Sequence, residues 1–351
     1  MREGLSQARS FANSVRFIGD RMIASVEAMD NIPNHLRDLF YCNELAVSKE
    51  VTPGLNESIE FVLERFGAPR ESVHAFVYSS PEINAQCFTG QASECILRFS
   101  SALVDILDRH EFEFVVGHEL GHFLLSHTQA RADNASDSIE FHIQQRAQEI
   151  SADRLGLIAC DSLDVAVRAL MKTVSGLTSE HLRFDVGAYL SQLRKTTGSS
   201  NESSVATHPS IIVRCRALMW FSVNDTFLNK KKVYPREELE HLDERIIRDM
   251  DQFTDKSARN RIDAAKNKLE MWVAVEDIVA DGRFDKDEQK KFLEKFGREK
   301  LDSLKNFLDS ISSGGVKAEA ANRVAAARSE LESLIPYSFE EEVSKIRKWN
   351  T

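Results

Sequence analysis

Paired cysteines, long apolar runs and clustered basic charge are all scarce in this sequence, and each scarcity closes a class of explanations. The five cysteines, Cys42, Cys87, Cys95, Cys160 and Cys215, are odd in number, scattered and nowhere spaced as CxxC. That pattern excludes a disulfide framework and a cysteine-based zinc site, and it fits free thiols in a reducing compartment. No stretch approaches the roughly 18 apolar residues of a membrane helix. The first ten residues carry Arg2, Glu3 and Arg9 without an apolar core, so they do not read as a secretory signal. The expectation is a soluble, cytoplasmic protein. Basic charge is concentrated only in Lys230-Lys231-Lys232, within a chain of formal net charge −10. A nucleic-acid partner therefore has little electrostatic support.

The rest of the composition is that of a folded protein, with 42% hydrophobic and 28% charged residues. A length of 351 residues suggests two domains or three. Residues 1–50 read as helical, with a break at Asn31-Ile32-Pro33. Strand composition follows at Val73–Tyr78 and at Cys95–Phe99. An apolar helix is predicted from Phe112 to Thr128, a polar loop from Arg131 to Asp137, and further helices over 139–159 and 163–174. Thr196–Ser204 reads as a loop, and Pro209 sits where a further helix would begin. Beyond about residue 235 the chain is charged and helical, without strand candidates. The expected fold is mainly α with a small β-sheet over residues 1–235, followed by an all-α domain over 236–351.

The chemistry concentrates in His118-Glu119-Leu120-Gly121-His122. Histidines four apart share one helix face and can reach one zinc ion, and Glu119 then lies beside the zinc-bound water as a general base. The flanks Phe114-Val115-Val116 and Phe123-Leu124-Leu125 are apolar, so the helix is buried, and buried histidines need partners. The third ligand separates zincin classes. A metzincin requires Gly at 125 and His at 128, where this chain has Leu125 and Thr128. His127 follows His122 by five residues and would point about 140° away from it on one helix. His142 lacks an acidic residue one turn later. Glu149, in Glu149-Ile150-Ser151-Ala152-Asp153, can supply a carboxylate from a second helix. Asp153, one turn on, can accept the outer N–H of a ligating histidine such as His118. The set His118, His122 and Glu149 is a His₂Glu, or gluzincin, arrangement for one zinc per chain.

Ile83-Asn84-Ala85, the run Glu113–His122, Glu149–Arg154, and Thr207-His208-Pro209-Ser210 with Arg214 occur in the order found in a known family. On these segments the chain resembles the gluzincin endopeptidases that include the HtpX heat-shock protease and the CaaX-prenyl endopeptidases, over roughly residues 70–220. The resemblance implies a zincin-type α+β core and a polypeptide substrate. It also implies an edge strand by Asn84 and Ala85 that pairs with the substrate backbone. His208 and Arg214 would face the active site, steadying the substrate oxyanion or holding the surroundings of Glu149. Many relatives carry membrane helices around the core, and this chain departs from them in having none.

The segment Ile278–Glu288 resembles the helical domain of the tellurite-resistance protein TerB. It fails as a calcium EF-hand, since Lys286 stands where the loop needs Gly and Phe292 where it needs Glu. Asp285 and Glu288 instead spell a capping box. The C-terminal domain is expected to bind a protein partner or to regulate. The leading reading is a soluble zinc metalloprotease. The reading from a different class is a catalytically restrained zinc-binding scaffold that acts through its helical C-terminal domain.

Overall fold

The computed structural model describes residues 2–20, 31–32, 34–90, 94–127, 138–191, 211–230, 234–253, 255–281, 284–310 and 315–346. It is mainly helical with one small mixed sheet. His208, the stretches 131–137 and 196–204, and Gly282-Arg283 lie outside the described residues. The chain divides into two compact units, Met1–Arg131 with Ile143–Asp255, and Ala132–His142 with Lys256–Thr351.

In the first unit, α1 (Arg2–Ser14) is followed by β1 (Asn31–Ile32), α2 (Asn34–Asn43), β2 (Leu45–Ala46) and α3 (Pro53–Phe66). Next come β3 (Val73–Tyr78), β4 (Ala85–Gly90), β5 (Cys95–Ser100) and α4 (Ser101–Ile106). The region before residue 50, read as helical with a break at Asn31-Ile32-Pro33, thus contributes two strands of two residues each, β1 at that break and β2 after α2, both too short to carry a periodic signal. Strand order is β1-β4-β5-β3-β2. β4 runs antiparallel to β5, with Ala85 opposite Phe99 and Cys87 opposite Leu97, whereas β3 runs parallel to β5. β1 meets β4 only at Thr89 and Gly90. Among the described residues, no strand pairs with the outer edge of β4 from Ala85 to Phe88.

Two long helices, α5 (Arg109–Leu124) and α6 (Ile139–Cys160), follow the sheet in the chain. α5 starts at a capping box in which Asp108 accepts from the backbone of Glu111 and Glu111 returns a bond to Asp108. Glu111 is fully buried and its carboxylate meets Lys172 at 2.6 Å and Arg168 at 3.1 Å. Those partners lie on α7 (Leu163–Ser175), which follows α6. α5 packs on β4 and β5, with Phe112 edge-on to Phe99 at 4.9 Å between ring centres.

α8 (Val186–Leu190), α9 (Ile211–Ser222), α10 (Asp225–Leu228) and α11 (Arg236–Phe253) complete the first unit. The division between units falls after Asp255, so α11 belongs with the sheet rather than with the C-terminal helices. Its charge is that of a surface helix, but one stripe, Leu239, Asp243, Ile246 and Met250, is buried. Ile246 and Met250 join Phe17, Ala147, Ile150, Val213 and Ala217 in one apolar cluster. Asp243 pairs with Arg154 of α6, both essentially inaccessible to solvent. The second unit has its own core, in which Val275, Ile278, Phe292, Leu304 and Phe307 meet. It is built from α12 (Lys256–Asp281), α13 (Lys286–Phe296), α14 (Arg298–Ser310), α15 (Val316–Leu334) and α16 (Phe339–Lys345). The Asp285–Glu288 capping box opens α13.

A buried ion pair stabilises little in net, but deleting one partner strands the other charge and costs about 3–5 kcal/mol. Asp243→Ala should therefore lower the unfolding free energy by that amount in urea titrations of the full chain. A loss below about 1 kcal/mol, the scale of an exposed pair, would show that Arg154 does not depend on it.

Candidate metal centre

Glycine sets how closely α5 can approach α6. A Cβ at Gly117 would stand 2.4 Å from Cβ of Ala159 and 3.1 Å from Cα of Gly156. A Cβ at Gly121 would stand 3.3 Å from Cα of Ala152. On the other helix, a Cβ at Gly156 would meet the carbonyl oxygen of Phe114 at 2.8 Å. The helices touch backbone to backbone along this seam, and that brings the short side chain of Glu149 to both histidines.

His118 Nε2 lies 3.1 Å from His122 Nε2 and 3.6 Å from Glu149 Oε2, and His122 Nε2 lies 3.4 Å from Glu149 Oε1. One ligand atom from each of the three residues falls within 4.8 Å of the others. Among the described residues this is the one such group of three or more His, Cys, Asp or Glu side chains, and neither His127 nor His142 belongs to it. Two imidazole nitrogens and a carboxylate oxygen, turned toward one point with no thiolate, make a donor set that suits zinc.

The surroundings fix each ring. Asp153 Oδ1 lies 3.0 Å from His118 Nδ1, so Nε2 of that ring is the nitrogen left for a metal. Arg214, on α9, donates through Nε and Nη2 to the two oxygens of Asp153 at 2.8 and 2.6 Å, and its Nη1 lies 3.4 Å from Glu149 Oε2. Arg214 thus engages the third member of the cluster and the carboxylate that orients the first. Burial alone would raise the pKa of Asp153, but the charge and hydrogen bonds of Arg214, with His118, bring it below the usual carboxylate range. For His118, burial works against protonation, but Asp153 and Glu149 outweigh it and raise its pKa. His122 goes the other way. Burial, joined by the positive fields of His118, His127 and Arg214, holds its pKa well below that of an ordinary imidazole despite Glu149. A neutral ring is the form that binds metal.

Spacing on one helix rules out His127 as a companion ligand but gives it no other task. The helix ends at Leu124, and the chain turns through Ser126 at a positive φ of 55°. His127 Nδ1 thereby comes to 2.8 Å from His122 Nδ1, and its Nε2 to 2.9 Å from Asp20 Oδ2. Asp20 is buried and also receives Ser151 Oγ at 2.7 Å and Gln144 Nε2 at 3.0 Å. A residue more than 100 positions away carries no local signal for this contact. Of the other residues singled out in the sequence, Glu119 is half-buried on α5. The thiol of Cys87 on β4 is pushed far up by its contact with the Cys95 thiol, by burial and by the charge of Glu119. Asn84 and Ala85 sit where β4 begins, with Ser100 N donating to Asn84 O at 2.9 Å.

Residues 50–138 and 134–220 match the profile of peptidase family M48. The chain is 23% identical over 176 residues to the plastoglobule-localized metallopeptidase 48, a chloroplastic protein of Arabidopsis thaliana, a match covering 42% of this chain and 51% of that protein. The chain thus spans about half the length of the curated relative it matches. No solved structure matches the chain. Among the described residues no helix is long and apolar enough to cross a membrane.

The glycine seam generates a test. In an ordinary helix interior Gly→Ala gains up to about 1 kcal/mol, whereas overpacking a tight contact costs about 1–3 kcal/mol. With a Cβ–Cβ distance of 2.4 Å the second effect wins. Gly117→Ala should lower both the melting temperature and the zinc stoichiometry of the purified protein. A variant at least as stable as the parent, with full zinc content, would contradict the seam.

Proposed function

Because residues 50–220 match the profile of peptidase family M48, we propose that the chain is a zinc-dependent endopeptidase acting on soluble or unfolded polypeptides. The observation that carries this reading is the convergence of His118, His122 and Glu149 from two helices, with Glu119 next to His118 in the chain and α5 packed on β4, whose outer edge from Ala85 to Phe88 pairs with no strand among the described residues. His118 and His122 would hold the zinc through Nε2 and Glu149 through its carboxylate, leaving a fourth position open. Zinc, when bound there, lowers the pKa of a coordinated water from about 15.7 toward about 7. Glu119 takes a proton from the attacking water and returns it to the departing amine. The peptide lies along β4 from Asn84 and Ala85, its backbone extending the sheet. Arg214 acts as a positioning residue: its bonds to Asp153 and Glu149 hold those carboxylates in place, which is one of the two roles its resemblance implied. His208 is proposed as an oxyanion donor on the resemblance alone.

The catalytically restrained scaffold is the weaker reading, because a closed structural site has no use for a base at position 119. The C-terminal unit contributes none of the three clustered residues and has its own core, which suits a role in partner binding or regulation. A cytoplasmic setting fits the five free thiols.

Glu119→Gln should keep its zinc and lose about 10²- to 10⁴-fold in turnover of casein, the usual contribution of a general base. Elemental analysis and a chelator-controlled cleavage assay check both halves. Near-normal turnover by the zinc-loaded variant would overturn the proposed role of Glu119.

A further inference from the structure

Both clustered histidines turn Nε2 toward the metal position, but their outer nitrogens are treated differently. His118 meets a carboxylate directly, through Asp153. His122 meets one only through a second imidazole, in the series His122 Nδ1···Nδ1 His127 Nε2···Oδ2 Asp20. We propose that Asp20 and His127 form a relay that fixes the tautomer and aim of His122, making the N-terminal segment that bears Asp20 part of the metal centre. The inference rests on the zinc-site reading above and deepens it.

The polarity of the series follows from its far end. Asp20 is surrounded by donors: Ser151 Oγ and His127 Nε2 on one oxygen, Gln144 Nε2 and, at 3.4 Å, Arg16 Nη1 on the other. A carboxylate so placed only accepts. His127 must therefore carry its proton on Nε2, and in the neutral ring this leaves Nδ1 as an acceptor. His122 then has to supply the proton between the two Nδ1 atoms, so its own Nε2 is bare and faces Glu149. Each bond selects the next, and the outcome at the last ring is the one tautomer that can ligate through Nε2.

The segment bearing Asp20 is anchored for this task. Arg16 Nη2 donates to Leu125 O at 2.6 Å, at the C-terminal end of α5. Phe17 N donates to Ser151 Oγ at 3.1 Å, Arg154 Nη1 to Val15 O at 3.1 Å, and Asp243 accepts from Ile18 N at 2.9 Å. Ser151 and Arg154 flank Asp153 on α6, so the segment grips the same turn that orients His118. It lies ahead of the residues that match the family profile, which begin at 50.

A purely structural contact would make the same bonds, so the test must read the metal. Full-length parent, His127→Leu and His127→Gln proteins would be stripped of metal, checked for fold by circular dichroism, and titrated with zinc against a chromophoric chelator. Leucine removes both bonds and should weaken zinc binding about 10- to 100-fold, the usual effect of losing such an outer partner. Glutamine can accept from His122 and donate to Asp20, and should restore most of that affinity. Unchanged affinity in the leucine variant, or glutamine no better than leucine, would overturn the relay. Should the leucine variant not fold, long-range ¹H–¹⁵N correlations on zinc-loaded parent protein decide instead. They should place the ring proton on Nδ1 of His122 and on Nε2 of His127, and a proton on Nδ1 of His127 would refute the inference. A parent protein that binds no zinc would defeat the zinc-site reading, and the relay with it, in the first titration.

Discussion

The backbone-to-backbone approach of α5 and α6 is the constraint on which the centre depends. A histidine pair four residues apart exists on any helix with that spacing, and a glutamate on another helix is equally common. They become one donor set only if the helix surfaces come closer than ordinary side chains allow. Gly117 and Gly121 on one side and Gly156 on the other supply that closeness, and Ala152 and Ala159 extend it. Beyond its exposed first residues, Arg109 and His110, the helix carrying the motif is buried on nearly every face by α3, α6, α7 and the sheet, with only Glu119 and His122 partly open.

Burying a histidine pair, two carboxylates and an arginine together is costly unless every polar group finds a partner. The centre meets this requirement with a short circuit of charge. Arg214 offsets Asp153 and Glu149, Asp153 orients His118, and His127 with Asp20 stands behind His122. The circuit recruits chain from well outside the family-matched residues, through Asp20 ahead of them. The Arg154–Asp243 pair does the same behind them. The matched segment is thus not a free-standing module here; the chain on both sides of it closes the polar interior.

Local patterns were legible in the sequence because they are written in helix periodicity. The pairs His118/His122 and Glu149/Asp153 are each spaced by one turn, and the apolar runs that flank the motif mark α5 as buried. The capping box at Asp285 and Glu288 was equally readable. What was missed is non-local. β4, Ala-Gln-Cys-Phe-Thr-Gly, lacks a β-branched run, so its composition did not mark it; the expectation of an edge strand by Asn84 and Ala85 came from the resemblance, and the strand forms because β5 pairs with it. β1 and β2 are two residues each and exist only as additions to β4 and β3. The composition shift near 235 suggested a boundary, since α11 is rich in charge. Leu239, Asp243, Ile246 and Met250 form one helix face with a carboxylate among apolar residues, the local sign of a buried cationic partner. The identity of that partner, Arg154, was not readable from spacing.

The most direct test of this account is X-ray absorption at the zinc edge on the full chain reconstituted with one equivalent of zinc. Two imidazoles and a carboxylate predict light scatterers alone at about 2.0–2.2 Å, with the multiple-scattering signature of two histidine rings. A sulfur shell at about 2.3 Å, or the signature of three rings, would contradict a centre built from His118, His122 and Glu149.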